Sequence, residues 1–217
     1  MAIALDDAMA SLNIQSFPVQ VPTNFAPKAA TVPGRSTPCP PDRGSGYRPR
    51  LYDTFDDPRG EFLHAAMDIT AAQGTPVVST TAGTVETWWK RYERPGAGWS
   101  DRGGWYVRII DDAGFAHYYA HLSTKPMVRP GQKVRAGQII GFVGRTGNAE
   151  KTCPHLHYSI AHPSGQKVNP FDRLKSLHDA GGWVYKGFTP AQWLVFAVAS
   201  ALLVVAVQAD KVARRGL

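Results

Sequence analysis

Long helical patterns are missing from the middle of this sequence. Between about Leu51 and Leu177 no amphipathic stretch reaches convincing helical length, so that region reads as predominantly antiparallel β. Cysteine is nearly absent. Cys39 and Cys153 are the only two in 217 residues, too few for a disulfide-rich scaffold. One bridge or two free thiols remain as alternatives, since sequence does not fix pairing. Continuous Lys/Arg runs with interleaved aromatics are also missing. The formal charge of +7 therefore suits anionic polymers in general, such as acidic lipid or a wall carrying carboxylates and phosphates, and no nucleic acid is expected. Met1 is followed by no basic segment, and Asp6 and Asp7 break the apolar run a signal peptide needs, so none is read.

What is present is organised in blocks. Residues 1–50 are punctuated by proline, as in Ser16-Phe17-Pro18-Val19-Gln20-Val21-Pro22 and Thr37-Pro38-Cys39-Pro40-Pro41, and read as a flexible arm. Within it, residues 3–14 carry Ile3, Leu5, Met9 and Leu12 at the spacing of one short amphipathic helix. From 51 to 177 follow short runs rich in Val, Ile, Thr and aromatics: 75–80, 84–89, 105–110, 115–120, 133–134, 138–143 and 155–161. Asp111-Asp112-Ala113-Gly114 marks a hairpin turn. Arg91 to Gly104 is glycine-rich and reads as a long loop that walls a cleft.

Residues 178–189 read as a linker, and 190–209 hold no charge. A helix of that length spans about 30 Å, the hydrocarbon thickness of a bilayer. Trp183, Tyr185 and Trp193 stand where an interfacial belt belongs, and 210–217 form a basic tail. One transmembrane helix is the expectation, with a lipid bilayer as partner. Basic residues are equal on both flanks and do not orient it.

The chemistry centres on Cys153-Pro154-His155-Leu156-His157-Tyr158. Alternation along a strand points His155 and His157 to one face. Upstream stand His64-Ala65-Ala66-Met67-Asp68 and Tyr118-Tyr119-Ala120-His121-Leu122-Ser123. Hydrolytic zinc needs three protein ligands and one open position, and two histidines with one carboxylate satisfy it. His64, Asp68 and His157 supply that set, making Zn2+ the expected cofactor. His155 then lies beside the open position as a general base, and His121 is a second imidazole for the proton or the developing oxyanion. By strand parity His117 shares the face of His121. His162 and His178 read as solvent histidines.

These pieces together resemble the lysostaphin-type zinc endopeptidases of bacterial cell walls. The order H-x3-D, Y-A-H-L-S, H-L-H matches that family, as do Asp68 to Val78, Val128 to Gly141, Thr146-Gly147-Asn148 and Val168-Asn169-Pro170. The resemblance implies a small antiparallel β fold, a duplicated hybrid motif with an open groove. It implies cleavage of peptide bonds in peptidoglycan stems or cross-bridges. Position by position, His64, Asp68 and His157 match the metal ligands, and His155 and His121 the catalytic pair. Two departures stand out: Ala66 replaces a usual glycine, and Ser159 replaces a common acidic residue.

The competing readings are a non-catalytic wall-binding or hydrolase-activating module on the same fold, and a biotinyl-type carrier barrel. The Val128, Gly131, Val134, Gly137 rhythm suits a carrier, but Lys125-Pro126-Met127 lacks the modifiable hairpin such domains present. The expected location is membrane-anchored, with the catalytic domain acting on the wall. It extends to the membrane of a bacteriophage virion, with virion or envelope proteins as partners.

Overall fold

A computed structural model describes residues 12–22, 39, 48–87 and 94–185. Those up to Val184 belong to one compact unit. The strands are β1 (Val21–Pro22), β2 (Pro58–Arg59), β3 (Phe62–Leu63), β4 (Met67–Thr70), β5 (Pro76–Val78), β6 (Gly83–Val85) and β7 (Ala97–Ser100). They continue with β8 (Gly104–Ile110), β9 (Ala116–Leu122), β10 (Lys133–Val134), β11 (Ile139–Phe142), β12 (His155–Ala161) and β13 (Lys167–Val168).

The main sheet runs β10-β6-β8-β9-β12-β13, with β4 added against β12 and β7 against β8. Its pairings are antiparallel, so neighbouring strands can be joined by tight turns. The turn between β8 and β9 is the expected one. Gly114 N–H donates to Asp111 O at 3.0 Å, and Gly114 has φ +85°, a conformation that glycine adopts without a Cβ clash. β5 and β11 form a second small sheet, and β2 and β3 a separate hairpin.

Alternation decides which side chains fill the interior. On β12, Leu156, Tyr158 and Ile160 are fully buried, while His155 and His157 take the other face. Val107, Ile109, Tyr119 and Leu122 face the same core, with Met67 and Ile69 from β4. Each such fully buried side chain contributes about 1.5–3 kcal/mol. Beneath the sheet lies a buried polar chain. Asp111 Oδ2 is 3.2 Å from His117 Nε2, and His117 Nδ1 is 2.8 Å from the Tyr158 hydroxyl. Thr80 Oγ1 is 2.9 Å from Tyr158 and 2.7 Å from Tyr119.

Four expectations need correction. Residues 12–22 are not a loose arm: Leu12, Ile14, Phe17, Val19 and Val21 are buried in the core. Their backbone is held by Gln15 N–H to Thr80 O at 2.8 Å, Gln20 N–H to Pro76 O at 3.1 Å and Val21 N–H to Trp183 O at 2.7 Å. Prolines break the periodicity without removing the apolar side chains. The supposed loop before Gly104 contains β7, paired residue for residue with β8 from Ala97↔Val107 to Ser100↔Gly104. A helix, α1 (Phe171–Asp179), crosses the expected domain end, its Leu174 fully buried. It defines part of the core and runs into the expected 178–189 linker. Finally, His178 is buried beside Phe17, its Nε2 2.9 Å from Pro49 O.

A disulfide joins Cys39 to Cys153 across a sequence separation of 114. Among the described residues no helix is long and apolar enough to cross a membrane. The expected span at 190–209, the tail 210–217 and residues 3–11 of the expected short helix lie outside the described residues; its residues 12–14 are not helical.

Candidate metal centre

The register of β4 against β12 places Asp68 directly opposite His157 and Thr70 opposite His155. β9 lies on the other flank of β12, with Ala120 opposite His157. His64 enters from the loop after β3. Its amide donates to Asp57 O at 2.8 Å, and the next residue, Ala65, has φ +52°. That left-handed turn swings the chain from the hairpin into β4. It also settles the Ala66 departure: the positive φ falls on Ala65, so Ala66 needs no glycine.

Three donor atoms converge. His64 Nε2 lies 3.1 Å from His157 Nδ1 and 3.1 Å from Asp68 Oδ1, and His157 Nδ1 is 3.3 Å from Asp68 Oδ1. Zinc bonds of 2.0–2.2 Å in a tetrahedron put neighbouring donors roughly 3.3–3.6 Å apart. The observed triangle matches within a few tenths of an ångström, so the donor set and its spacing fit zinc. Among the described residues, His64, Asp68 and His157 are the one group of three or more His, Cys, Asp or Glu with such convergence.

The two remaining histidines sit at the edge of this triangle. His155 Nε2 is 3.8 Å from Asp68 Oδ1. The His121 ring centroid is 5.0 Å from that of His155 and 5.6 Å from that of His157. Strand parity would turn His121 into the core with Tyr119. Its backbone instead takes φ +61°, which rotates the ring to the His157 face. Non-glycine residues in this region cost on the order of 1–3 kcal/mol and cluster at functional sites. His117, without that twist, stays in the buried polar chain, so parity paired the wrong histidines.

Main-chain carbonyls fix three of the rings. His64 Nδ1 lies 2.9 Å from Thr54 O, His121 Nδ1 2.8 Å from Thr146 O, and His155 Nδ1 2.8 Å from Cys153 O. Each Nδ1 therefore donates to its carbonyl, which leaves Nε2 as the other ring nitrogen, near Asp68 Oδ1 in His64 and His155. Thr146 is itself held by close packing. Gly147, at φ +70°, lies so close to Gly104 N and Arg102 O that a Cβ there would collide. Thr146 Oγ1 also donates to Leu122 O at 2.7 Å.

Electrostatics favour ligand forms. Burial alone would raise Asp68, but the close imidazoles of His157 and His64 and the nearby His155 overcome it and hold the carboxyl well below its usual range. Burial pushes His121 down to about 4, helped by His155 and His157 and opposed by Thr146 O and Asp68. Burial likewise lowers His157 against the pull of Asp68. All three are in the unprotonated state a metal or a base requires near neutral pH.

Sequence reasoning missed Arg59, whose Nη2 donates to Asp68 Oδ2 at 3.0 Å. Nothing in the spacing from Arg59 to Asp68 announces that contact. It also missed the three carbonyl anchors, which leave no side-chain signature. Ser159, the second departure, receives Lys167 Nζ at 2.8 Å, so a cation rather than an acid stands behind this part of β12.

The family model described as Peptidase family M23 matches residues 62–170, half of the chain. The L-Ala--D-Glu endopeptidase of Bacillus subtilis is 37% identical over 133 residues, covering 57% of this chain and 38% of that protein. Lysostaphin of Staphylococcus staphylolyticus is 35% identical over 129 residues, covering 56% and 24%. The chain thus spans well under half the length of the curated relatives it matches. In fold it resembles the crystal structure assigned as a glycyl-glycine endopeptidase LytM from Ruminococcus gnavus. That match has a TM-score of 0.59 and 23% identity, over 82% of this chain and 64% of that one.

Proposed function

Because the chain belongs to peptidase family M23, we propose that it is a zinc-dependent endopeptidase hydrolysing peptide bonds of bacterial peptidoglycan, in stems or cross-bridges. The observation that carries this reading is the three-donor triangle with edges of 3.1–3.3 Å, flanked by His155, whose Nε2 is 3.8 Å from Asp68 Oδ1, and by the ring of His121. His64 Nε2, His157 Nδ1 and Asp68 Oδ1 would hold the ion. When bound there, zinc supplies Lewis-acid polarisation of the scissile carbonyl and makes water more acidic.

The rest falls to the protein's own groups. His155 takes the proton of the attacking water at Nε2 and returns it to the departing amine nitrogen. Cys153 O, accepting from Nδ1, keeps that ring in the correct tautomer. His121 is neutral near pH 7 with its Nδ1–H given to Thr146 O, so its Nε2 serves as a second acceptor for the proton of the attacking water.

The relatives bear names for two bonds, L-Ala–D-Glu in one and glycyl-glycine in another, the ALE-1 endopeptidase of Staphylococcus capitis, 34% identical over 120 residues. Purified peptidoglycans with and without glycine bridges, digested by the full chain and read by mass spectrometry for new amino termini, separate stem from bridge cleavage. Zinc binding with no new termini from any wall would replace this reading with a wall-binding or hydrolase-activating module.

In the same reading, residues 190–209 hold the enzyme at a bilayer, in a cell envelope or a bacteriophage particle. What supports it is the uncharged run of that length flanked by Trp183 and by Arg214 and Arg215. Full-length protein should sediment with vesicles after a high-salt wash and need detergent for release, since insertion is not screened by ions. Recovery in the salt supernatant would count against the anchor.

A further inference from the structure

The two oxygens of Asp68 have different partners. Oδ1 faces His64 Nε2 at 3.1 Å and His157 Nδ1 at 3.3 Å, in the metal triangle. Oδ2 receives Arg59 Nη2 at 3.0 Å. Arg59 lies on β2, directly opposite Phe62 of β3, and β3 ends one residue before His64. One short hairpin therefore delivers both a ligand histidine and the cation that grips the ligand carboxylate. The Asp68 amide is fixed as well, donating to Thr54 Oγ1 at 3.0 Å.

A carboxylate with both oxygens free can bind a metal through both, and the second oxygen then occupies coordination space that a hydrolytic site must keep open. A carboxylate whose second oxygen is held by a guanidinium binds through one. Arg suits this task because its charge is permanent and its donors are held in a plane. The Arg59 side chain is 51% exposed, so the pair contributes little to folding stability. Its geometric effect on Oδ1 does not depend on that contribution.

We propose that Arg59 is a positioning residue of the metal centre, holding Asp68 as a one-oxygen ligand and so keeping the fourth coordination position open. The inference rests on the zinc reading above. Loss of a partner of this kind costs roughly 10–100-fold in metal affinity.

The test uses full-length protein in detergent, stripped of metal, as wild type, Arg59→Ala and Arg59→Lys. Zinc affinity is measured by competition with a chromophoric chelator, and the cobalt(II) form is measured by visible absorption, whose intensity falls as coordination rises above four. Arg59→Ala is expected to lose 10–100-fold in zinc affinity and to weaken the cobalt bands. Its metal-free melting temperature should be unchanged, and Arg59→Lys should recover part of both losses. Wild-type zinc affinity and cobalt spectrum in Arg59→Ala would overturn the proposal alone. So would a loss that Lys does not relieve, accompanied by a lower metal-free melting temperature, because the hairpin would then be merely structural. Failure of the wild type to bind zinc would overturn this proposal and the functional reading together.

Discussion

His157 and Asp68 face each other across antiparallel strands β12 and β4, with Nδ1 and Oδ1 3.3 Å apart. The sheet register sets their separation, so the pair is pre-organised by backbone hydrogen bonds rather than by flexible loops. His157→Ala and Asp68→Ala should each abolish stoichiometric zinc while leaving a folded domain. Metal analysis after dialysis checks this; one zinc per chain in either variant would remove these residues from the ligand set.

His155 and His121 stand outside the donor triangle and should separate from the ligands by phenotype. His155→Ala and His121→Ala are expected to keep zinc and to lose roughly 10²–10⁴-fold in turnover. Paired zinc titrations and peptide-hydrolysis rates distinguish the roles. A variant that loses metal as completely as His157→Ala belongs among the ligands instead.

The Cys39–Cys153 bridge closes a long loop onto the rim beside His155. Removing a native bridge of this kind typically costs about 2–5 kcal/mol. A Cys39→Ser/Cys153→Ser variant should melt several degrees lower than the oxidised protein and match the wild type treated with a phosphine reductant. Zinc stoichiometry should hold, since no ligand depends on either sulfur. Superimposable melting curves would show that the bridge adds no stability.

Asp111 lies within the buried chain under the sheet. Burial would raise its carboxyl, but hydrogen bonds from His117 and from the Phe115 and Ala113 amides hold it below the usual range. A carboxyl depressed in the folded state stabilises above its unfolded value of about 3.9, and that contribution disappears as pH falls through the folded value. Asp111→Asn should cost about 1–3 kcal/mol at pH 7 and less on the acid side, flattening the acid limb of stability against pH. Urea melts from pH 7 down to pH 3 measure this, and parallel curves for the two proteins would contradict it.

Much of this molecule is legible in its sequence where local chemistry and tertiary outcome agree. β8 is dense in β-branched and aromatic residues, and β9 and β12 carry Tyr118, Tyr119, Tyr158 and Ile160, so all three favour extended backbone. β7 is Ala-Gly-Trp-Ser, with no such density, and is a strand because β8 pairs with it. α1 spans nine residues and follows Pro170, too short for a periodic signal to rise above noise. In the site, five residue identities are readable as one motif, while the orientation of His121 is not. Parity assumes extended backbone, and one left-handed residue reverses it. Arg59 was illegible for another reason: its contact depends on how a two-strand hairpin folds over β4.

The carbonyl anchors of His64, His121 and His155 bear on how such a site withstands mutation. Thr54 O, Thr146 O and Cys153 O belong to the backbone. Any residue substituted at 54, 146 or 153 still carries a carbonyl, so no single codon change deletes the acceptor. The tautomers of these rings are thus encoded in the path of the chain rather than in neighbouring side chains. Side chains at these positions act on the rings only through that path, as Thr146 Oγ1 on Leu122 O and the Cys153 disulfide do.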